Sequence, residues 1–387
     1  MESNEVPPSF PSQPPLNPPQ TPPPPQAPPV IGVSAAPRPP RRGKGWMIFA
    51  FILLALLILS VLFNFGQFAS GISHARNIRG RMAGPRLDEV FLQDNGAANK
   101  IAVLDLDGII TSRSLDRSGF TMVDLIKAQL DRAEDDPRVK AVILRVDSPG
   151  GEVLASDEIY RAITDFQEKS GKPVIASMGN LAASGGYYVS SACRWIVANE
   201  LTITGSIGVI MHSWNYRGLM DKVGLRPEVY KSGKFKDMLS GERDPSEIPP
   251  EEHAMVQSLI DQTYARFKEV VAAGRKAAHE ENKSNGKALA DDWTDYADGR
   301  VLSGTQAFDL GFVDELGDFD AAVNEARELG KISGEANLIQ YQQRYDLGDF
   351  LGIFGKSKPP VIKVDLGMDT PKLEAGQLYF LAPIFLH

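Results

Sequence analysis

Ser184 stands in the densest cluster of small residues in the chain, Met178-Gly179-Asn180-Leu181-Ala182-Ala183-Ser184-Gly185-Gly186-Tyr187-Tyr188, directly after the apolar run Pro173-Val174-Ile175-Ala176. A strand–turn–helix junction with small neighbours can expose one side chain and leave backbone amides free for an anion, which suits a nucleophile. The same residues would equally allow close helix packing, and the local sequence does not choose. A second glycine turn, Asp147-Ser148-Pro149-Gly150-Gly151, also follows an apolar run. Its outward amides would suit an oxyanion hole, or it is an ordinary Pro-Gly β-turn.

A serine nucleophile needs a proton acceptor. No GxSxG elbow surrounds Ser184, which argues against the α/β-hydrolase design. His74, His279 and His387 lie in unsuitable contexts, and His212 and His253 sit in no supporting motif. Lysine is the other acceptor, and Lys231, Lys234 and Lys236 lie together in Tyr230-Lys231-Ser232-Gly233-Lys234-Phe235-Lys236-Asp237. A free lysine titrates near 10.4, so a lysine base must be depressed by burial or neighbouring positive charge. The bland alternative is a solvated basic loop.

The elements that must hold these residues begin near Lys100. Ile101–Leu104, Ala141–Leu144, Pro173–Ala176 and Ile207–Ile210 read as short strands bounded by turn residues. Between them, Val123, Ile126 and Leu130, then Ile159, Ile163 and Phe166, recur at helical spacing. Strands alternating with helices predict a largely parallel α/β sheet covered on both faces. A long amphipathic helix is expected over Glu251 to Ala278, after Pro249-Pro250.

Composition divides what precedes this body. Of the chain's 28 prolines, 16 lie between Pro7 and Pro40, so residues 1–46 are expected to be a disordered, polyproline-like spacer. Met47 to Phe63 is 17 residues with Ser60 alone polar, which predicts a retained transmembrane anchor over 47–66 rather than a cleaved signal peptide. Arg38, Arg41, Arg42 and Lys44 place the tail on the cytoplasmic side by a small charge bias, and the body outside. The segment before Met47 carries +2 and the remainder −10, an acidic body that argues against nucleic-acid binding. One cysteine, Cys193, and five scattered histidines exclude an intramolecular disulfide and make a cysteine- or histidine-built metal site unexpected.

Taken together, DSPGG at 147–151, MGNLAASGGYYVSSA at 178–192, TGSIGVI at 204–210 and KSGKFKD at 231–237 resemble the signal peptide peptidase A family of membrane-anchored serine–lysine peptidases. DGRVLSGTQAFDLGFVDELG, residues 298–317, resembles the end of that family's catalytic domain. The resemblance spans Ile101 to Leu329 and implies a crotonase- or Clp-protease-like α/β fold. It assigns Ser184 as nucleophile, Lys236 as general base, Ser206 as a residue orienting the lysine, and the Gly151 amide, or that of Gly150, as oxyanion donor. It implies no metal or organic cofactor, and remnant signal peptides and similar apolar peptides as substrates.

The expected organisation is therefore a tail (1–46), an anchor (47–66), a juxtamembrane linker (67–99), a Ser-Lys peptidase domain (100–331) and a peripheral carboxyl-terminal tail (332–387). No internal duplication is visible, so the chain resembles the family's single-copy form, which implies a ring-like homo-oligomer with sites between subunits. The terminal stretch Leu378–His387 is unusually apolar. It is expected either to pack on the body or to occupy a peptide groove, of its own or a neighbouring chain. Rival readings are a crotonase-type acyl-thioester enzyme and a catalytically idle membrane scaffold. Both catalytic residue types are present, which speaks against the scaffold.

Overall fold

Three of the apolar runs form the centre of a mixed sheet. The computed structural model describes residues 47–61, 84–114, 119–283, 285–343 and 377–382. It sets β2 (Lys100–Asp107), β3 (Val139–Ser148), β5 (Val174–Ala183) and β6 (Trp195–Ala198) side by side and parallel. Strands covered on both faces are apolar at successive positions, and alternate side chains serve different layers. Ala102, Leu104 and Leu106 join Val142, Leu144 and Val146 in the larger core, while Ile101, Val103, Ala141 and Ile143 join a smaller one on the opposite face. Helices α2 (Met122–Asp135) and α3 (Val153–Ser170) cover the first, and α8 (Phe319–Leu329) the second.

The helices start where their caps stand. Thr121 Oγ1 accepts from the Asp124 N–H at 3.1 Å and the Asp124 carboxylate accepts from the Thr121 N–H at 3.0 Å, a capping box that starts α2. In α3, Ile159, Ile163 and Phe166 are buried at the expected spacing, each contributing about 1.5–3 kcal/mol.

The sheet edges differ from the sequence expectation. β11 (Asn337–Gln343) lies parallel beside β2, and β1 (Leu87–Gln93) closes that edge antiparallel. Part of the expected linker and part of the expected peripheral tail are thus strands of the main sheet. Both strands mix apolar residues with Gln, Asn, Asp or Glu in no regular alternation, and their partners lie some 240 residues apart in sequence, as in the Asn95 N–H to Asn337 Oδ1 bond of 2.8 Å. Local periodicity does not report such pairing. At the other edge β10 (Glu315–Leu316) pairs with β6, and β7 (Ile203–Gly205) runs along the end of β5 and pairs with β9 (Val301–Ser303). Of the expected strand Ile207–Ile210, Ile210 alone is in a strand, β8 (Ile210–Met211), because the chain turns at Ser206 with φ 52°.

A second small sheet, β4 (Gly150–Glu152), β12 (Leu378–Leu381) and β8, stands against the larger core. Three further helices, α4 (Gly185–Ser190), α5 (Arg217–Lys222) and α7 (Gly304–Asp309), are short. The fourth, α6 (Pro250–Glu281), is longer than expected, and its second half carries Phe267, Val270 and Val271 into the core. Within it, fully buried Arg275 pairs with buried Asp314, whose carboxylate also accepts the Ile196 N–H at 2.9 Å, tying α6 to the edge of the sheet.

On the far face, burial, reinforced by Glu328, Glu315 and Asp314, pushes the Glu325 carboxyl from its ordinary 4.5 up to about 7. The folded chain thus keeps a proton that the unfolded chain has released, so stability falls as pH rises from 4.5 through about 7. Glu325→Gln is expected to raise the melting temperature at about pH 8 and to leave it unchanged at about pH 4, measured by thermal unfolding at both values.

Residues 47–61 form a helix, α1, with exposed apolar side chains, within a unit separate from the body (Met82–His387). Its described part, 15 residues, extends about 22 Å. Among the described residues no helix is long and apolar enough to cross a membrane. The rest of the expected anchor, 62–66, and the proline-rich tail, 1–46, lie outside the described residues.

Candidate active site

Ser184 stands between the last residue of β5 and the first of α4, with φ 53° and ψ −114°. A non-glycine residue at positive φ is uncommon and costs on the order of 1–3 kcal/mol. Two backbone bonds hold it there, its N–H donating to the Gly205 carbonyl at 2.8 Å and its carbonyl accepting the Tyr188 N–H at 2.8 Å, and β7 flanks β5 through the Ala183–Gly205 pair. The side chain is 1% exposed, and its Oγ has no hydrogen-bond partner among the described residues. An unpaired buried hydroxyl is expensive and therefore rare.

The close-packing reading of the small-residue cluster holds, whereas Ser184, the side chain it was expected to expose, is buried. A Cβ on Gly185 would lie 2.7 Å from Ser156 Oγ and 3.1 Å from Gly150 Cα, so the glycine allows α4 to press against the 147–151 turn. That packing brings the two glycine motifs together beside Ser184.

The turn itself is clasped from below. The Ser148 hydroxyl donates to the Gly108 carbonyl at 2.6 Å, and the Ile110 N–H donates to the Gly150 carbonyl at 2.9 Å. In return the Glu152 N–H donates to the Ile110 carbonyl at 2.8 Å. The Glu152 carboxylate accepts from the Thr111 hydroxyl at 2.8 Å and the Ser112 N–H at 2.9 Å. Burial alone would raise that carboxyl, but the Ser112 and Thr111 bonds outweigh it and hold it below its ordinary value. The Gly150 N–H is engaged with Ser148 Oγ at 3.1 Å. The Gly151 N–H faces away from Ile110, because the atoms used on that side belong to Gly150 and Glu152. Of the two candidate donors, Gly151 is therefore the one with its amide turned outward.

Ser206 shares the strained geometry of Ser184, with φ 52°, and is 3% exposed. It follows Gly205, the residue whose carbonyl receives the Ser184 N–H, and its own N–H donates to the Arg300 carbonyl at 2.7 Å. Ser184, Gly151 and Ser206 thus stand on adjoining segments.

Lys236 does not join them within one chain. It is exposed on the segment after α5, and Ser184 Oγ bonds neither to it nor to His212 or His253. The three lysines are nonetheless distinguished. Lys231 Nζ donates to Asp237 at 2.6 Å, and Lys234 Nζ is 3.6 Å from Glu251, whereas the Lys236 ammonium has no partner among the described residues. The stretch of chain that leads to Lys236 also shows Trp214, Leu219, Val223 and Tyr230 to solvent, the last 91% exposed.

Two features of the site carried no local signal in sequence: the Gly108–Ser112 clasp and an aromatic pocket of Tyr188 and Phe267, their rings 5.0 Å apart. An open cleft of about 810 Å³, lined by Asp105, Asp107 and Asp147 among others, does not include Ser184. Among the described residues no group of three or more His, Cys, Asp or Glu could hold a metal ion.

A mixed α/β sheet presents a strained serine beside a glycine turn, an arrangement of the kind a serine hydrolase uses. The family model for peptidase family S49 matches residues 166–333, which include Ser184, Ser206 and Lys236. Curated relatives extend the match. A candidate protease of Synechocystis sp., slr0021, is 42% identical over 218 residues, 56% of this chain and 70% of that one. A candidate signal peptide peptidase SppA of Enterococcus faecium is 35% identical over 260 residues, 66% of this chain and 71% of that one. The chloroplastic serine protease SPPA of Arabidopsis thaliana is 32% identical over 276 residues, 70% of this chain and 38% of that one. Among solved structures, the S97A mutant of the 1510-N membrane-bound stomatin-specific protease aligns at a TM-score of 0.33 and 19% identity, over 59% of this chain and 85% of that one. The chain belongs to peptidase family S49, the family of the signal peptide peptidases.

Proposed function

We propose that the chain is a membrane-anchored serine endopeptidase of crotonase- or Clp-protease-like fold that degrades remnant signal peptides and similar apolar peptides through an acyl-enzyme. Ser184 is the nucleophile, Lys236 the general base, Ser206 the residue that orients the lysine, and the Gly151 amide the oxyanion donor. The observation that carries this reading is the Ser184 hydroxyl itself, buried, without a hydrogen-bond partner among the described residues and held at a positive φ. Such a group is retained against its cost where chemistry uses it.

In this mechanism neutral Lys236 takes the Ser184 proton as Oγ attacks a peptide carbonyl, and the Gly151 amide holds the resulting oxyanion. The protonated lysine gives its proton to the leaving amine. Water, deprotonated by the same lysine, then releases the acyl group as a carboxylate.

Lys236 reaches the serine of a neighbouring copy in a ring-like homo-oligomer. The exposed apolar side chains around Lys236 support this, since a second copy would cover them with the same contact that delivers the lysine. Lys231 and Lys234 suit the base role less, because Asp237 already accepts a hydrogen bond from the first and Glu251 lies beside the second. The exposed apolar side chains of residues 47–61 support anchoring, and the basic residues before them support a cytoplasmic amino terminus with the body outside.

The test is cleavage of an apolar fluorogenic peptide by the full chain in detergent. Ser184→Ala and Lys236→Ala should each abolish turnover, while Lys234→Ala keeps it. Turnover in either of the first two variants would sink the mechanism.

A further inference from the structure

On the face of the sheet that α8 covers, the last residues of β2, β3 and β5 run on past the start of that helix. Side chains alternate along a strand, so Asp105 and Asp107 share the face of Ile101 and Val103, and Arg145 and Asp147 that of Ala141 and Ile143. Across the three parallel strands Asp105 pairs with Arg145 and Arg145 with Ser177, and Asp107 pairs with Asp147. These residues line the open cleft of about 810 Å³, together with Asp318 and Phe319 at the start of α8. Ligand sites are commonly of this size, about 300–1,000 Å³.

The cleft is acidic, and its positive features are occupied. The Arg145 guanidinium donates to Asp105 at 2.6 Å, and the Asp318 carboxylate caps α8 by accepting the Ala321 N–H at 3.2 Å. Asp147 accepts the Leu181 N–H at 3.2 Å. The Asp107 carboxylate has no hydrogen bond or ion pair among the described residues. Partial burial, and then the like charges of Asp105 and Asp147, push its carboxyl above the ordinary 3.8, the condition of a carboxylate without a counter-ion. A second group is also unanswered. Ser177 is 7% exposed and shares the face of Ile175, which turns its side chain into the cleft, and its hydroxyl has no partner among the described residues. A polar group so deeply buried normally has one. Thr202, in the same lining, donates to the Gly179 carbonyl at 2.8 Å. A metal ion does not fit, since among the described residues no group of three or more His, Cys, Asp or Glu could hold one. A basic side chain supplies what is missing: a charge for Asp107 and Asp147, and N–H donors, of which a guanidinium has five, for oxygens such as Ser177 Oγ.

Three segments lead from this cleft to the active site. Asp147 opens the turn that ends at Gly151, Gly179 and Asn180 precede Ser184 along β5, and Leu201 and Thr202 precede β7, whose Gly205 carbonyl holds the Ser184 N–H. At about 3.3 Å per residue, four or five residues of β5 cover about 13–17 Å, and an extended peptide spans that interval with a similar number. We propose that the cleft is a cation subsite for the peptide substrate. It takes an arginine or lysine side chain four or five residues from the scissile bond, held by Asp107 and Asp147, with Ser177 as a further acceptor. This rests on Ser184 being the nucleophile. The substrate class narrows accordingly, from apolar peptides at large to apolar stretches flanked by a basic residue, the composition found where the charged and apolar regions of a signal peptide meet.

The experiment uses the full chain in detergent and a series of apolar fluorogenic peptides. Each carries one arginine, or citrulline as its neutral isostere, at two to seven residues from the scissile bond on either side. Arginine four or five residues away on one side should lower KM about 5–50-fold relative to citrulline, with kcat unchanged. In Asp107→Asn the ratio of the two KM values should fall to about 1, and in Ser177→Ala it should shrink about 3-fold. Equal KM for arginine and citrulline at every position overturns the proposal. So does a preference that survives Asp107→Asn in a chain that melts normally. If Asp107→Asn does not fold, salt decides: a preference that fades between about 0.05 and 0.5 M supports the subsite, and one that salt leaves unchanged overturns it. If no form cleaves any peptide, the nucleophile reading has failed instead. In that case fluorescence polarisation of the labelled peptides on the full chain decides the subsite. Tighter binding of the arginine peptide that is lost in Asp107→Asn supports it, and equal binding of the two peptides overturns it.

Discussion

Mixing Ser184→Ala chains with Lys236→Ala chains is expected to restore peptide cleavage that neither variant shows alone. Each variant keeps the half of the dyad that the other lacks. If serine and lysine come from neighbouring copies in a closed ring, a serine-bearing Lys236→Ala chain beside a lysine-bearing Ser184→Ala chain makes one complete site. Random assembly of equal amounts then leaves about a quarter of the sites complete, because interfaces in a ring are head-to-tail. A dyad made within one chain gives no recovery at any ratio. The measurement is peptide turnover after the two proteins are dissociated, mixed and reassembled, against each variant treated alone. The expectation follows from two positions: Ser184 Oγ buried and Lys236 Nζ exposed, neither with a partner among the described residues, the lysine on a segment that also exposes Trp214 and Tyr230. Recovery near a quarter supports assembly in trans; none returns the base to the same chain and requires the 212–240 segment to move.

How far the sequence anticipated this arrangement depends on how local each signal was. The centre of the sheet was legible because Ile101–Leu104 and Ala141–Leu144 are apolar at every position, which a strand covered on both faces requires. Helices α2 and α3 were legible from Val123, Ile126 and Leu130 and from Ile159, Ile163 and Phe166, for the equally local reason of period. β1 and β11 were not, since Gln340 spends its amide on Asp105 and the strand reads as polar. Within the site, Ser184 and Gly151 stood out by their small neighbours. The choice between Gly150 and Gly151 needed the Ile110 bonds, which come from a segment some 40 residues upstream, as in the Ser148–Gly108 bond. The apolar carboxyl terminus announced burial but not register, and register is what aligns Phe380 with Gly151. Residues 383–387 of that terminus lie outside the described residues.

Gly150→Ala should cost the enzyme most of its activity, on the order of 100–1,000-fold, the scale of a lost oxyanion donor. Two effects act together there. Gly150 has φ +98°, a conformation that an L side chain adopts with strain of about 1–3 kcal/mol. A Cβ would also meet backbone on two sides, the Phe380 oxygen at 2.0 Å and the Gly185 nitrogen at 2.6 Å, neither of which is the flexible end of a side chain. Something must shift, and everything available belongs to the site: β12 can leave, or the turn can withdraw from Ser184. Strain and crowding are separated by Gly334→Ala, because Gly334 has φ +91° and nothing within 4 Å of its Cβ position. That control should lose stability by a similar amount of strain and keep peptide turnover. A chain ending at Gly376 separates the two outlets. If the alanine acts mainly by expelling β12, adding Gly150→Ala to the shortened chain changes turnover little. If it acts by moving the Gly151 amide, the loss persists at full size without the strand, which is the expected result, since the Gly185 contact remains when Phe380 has gone.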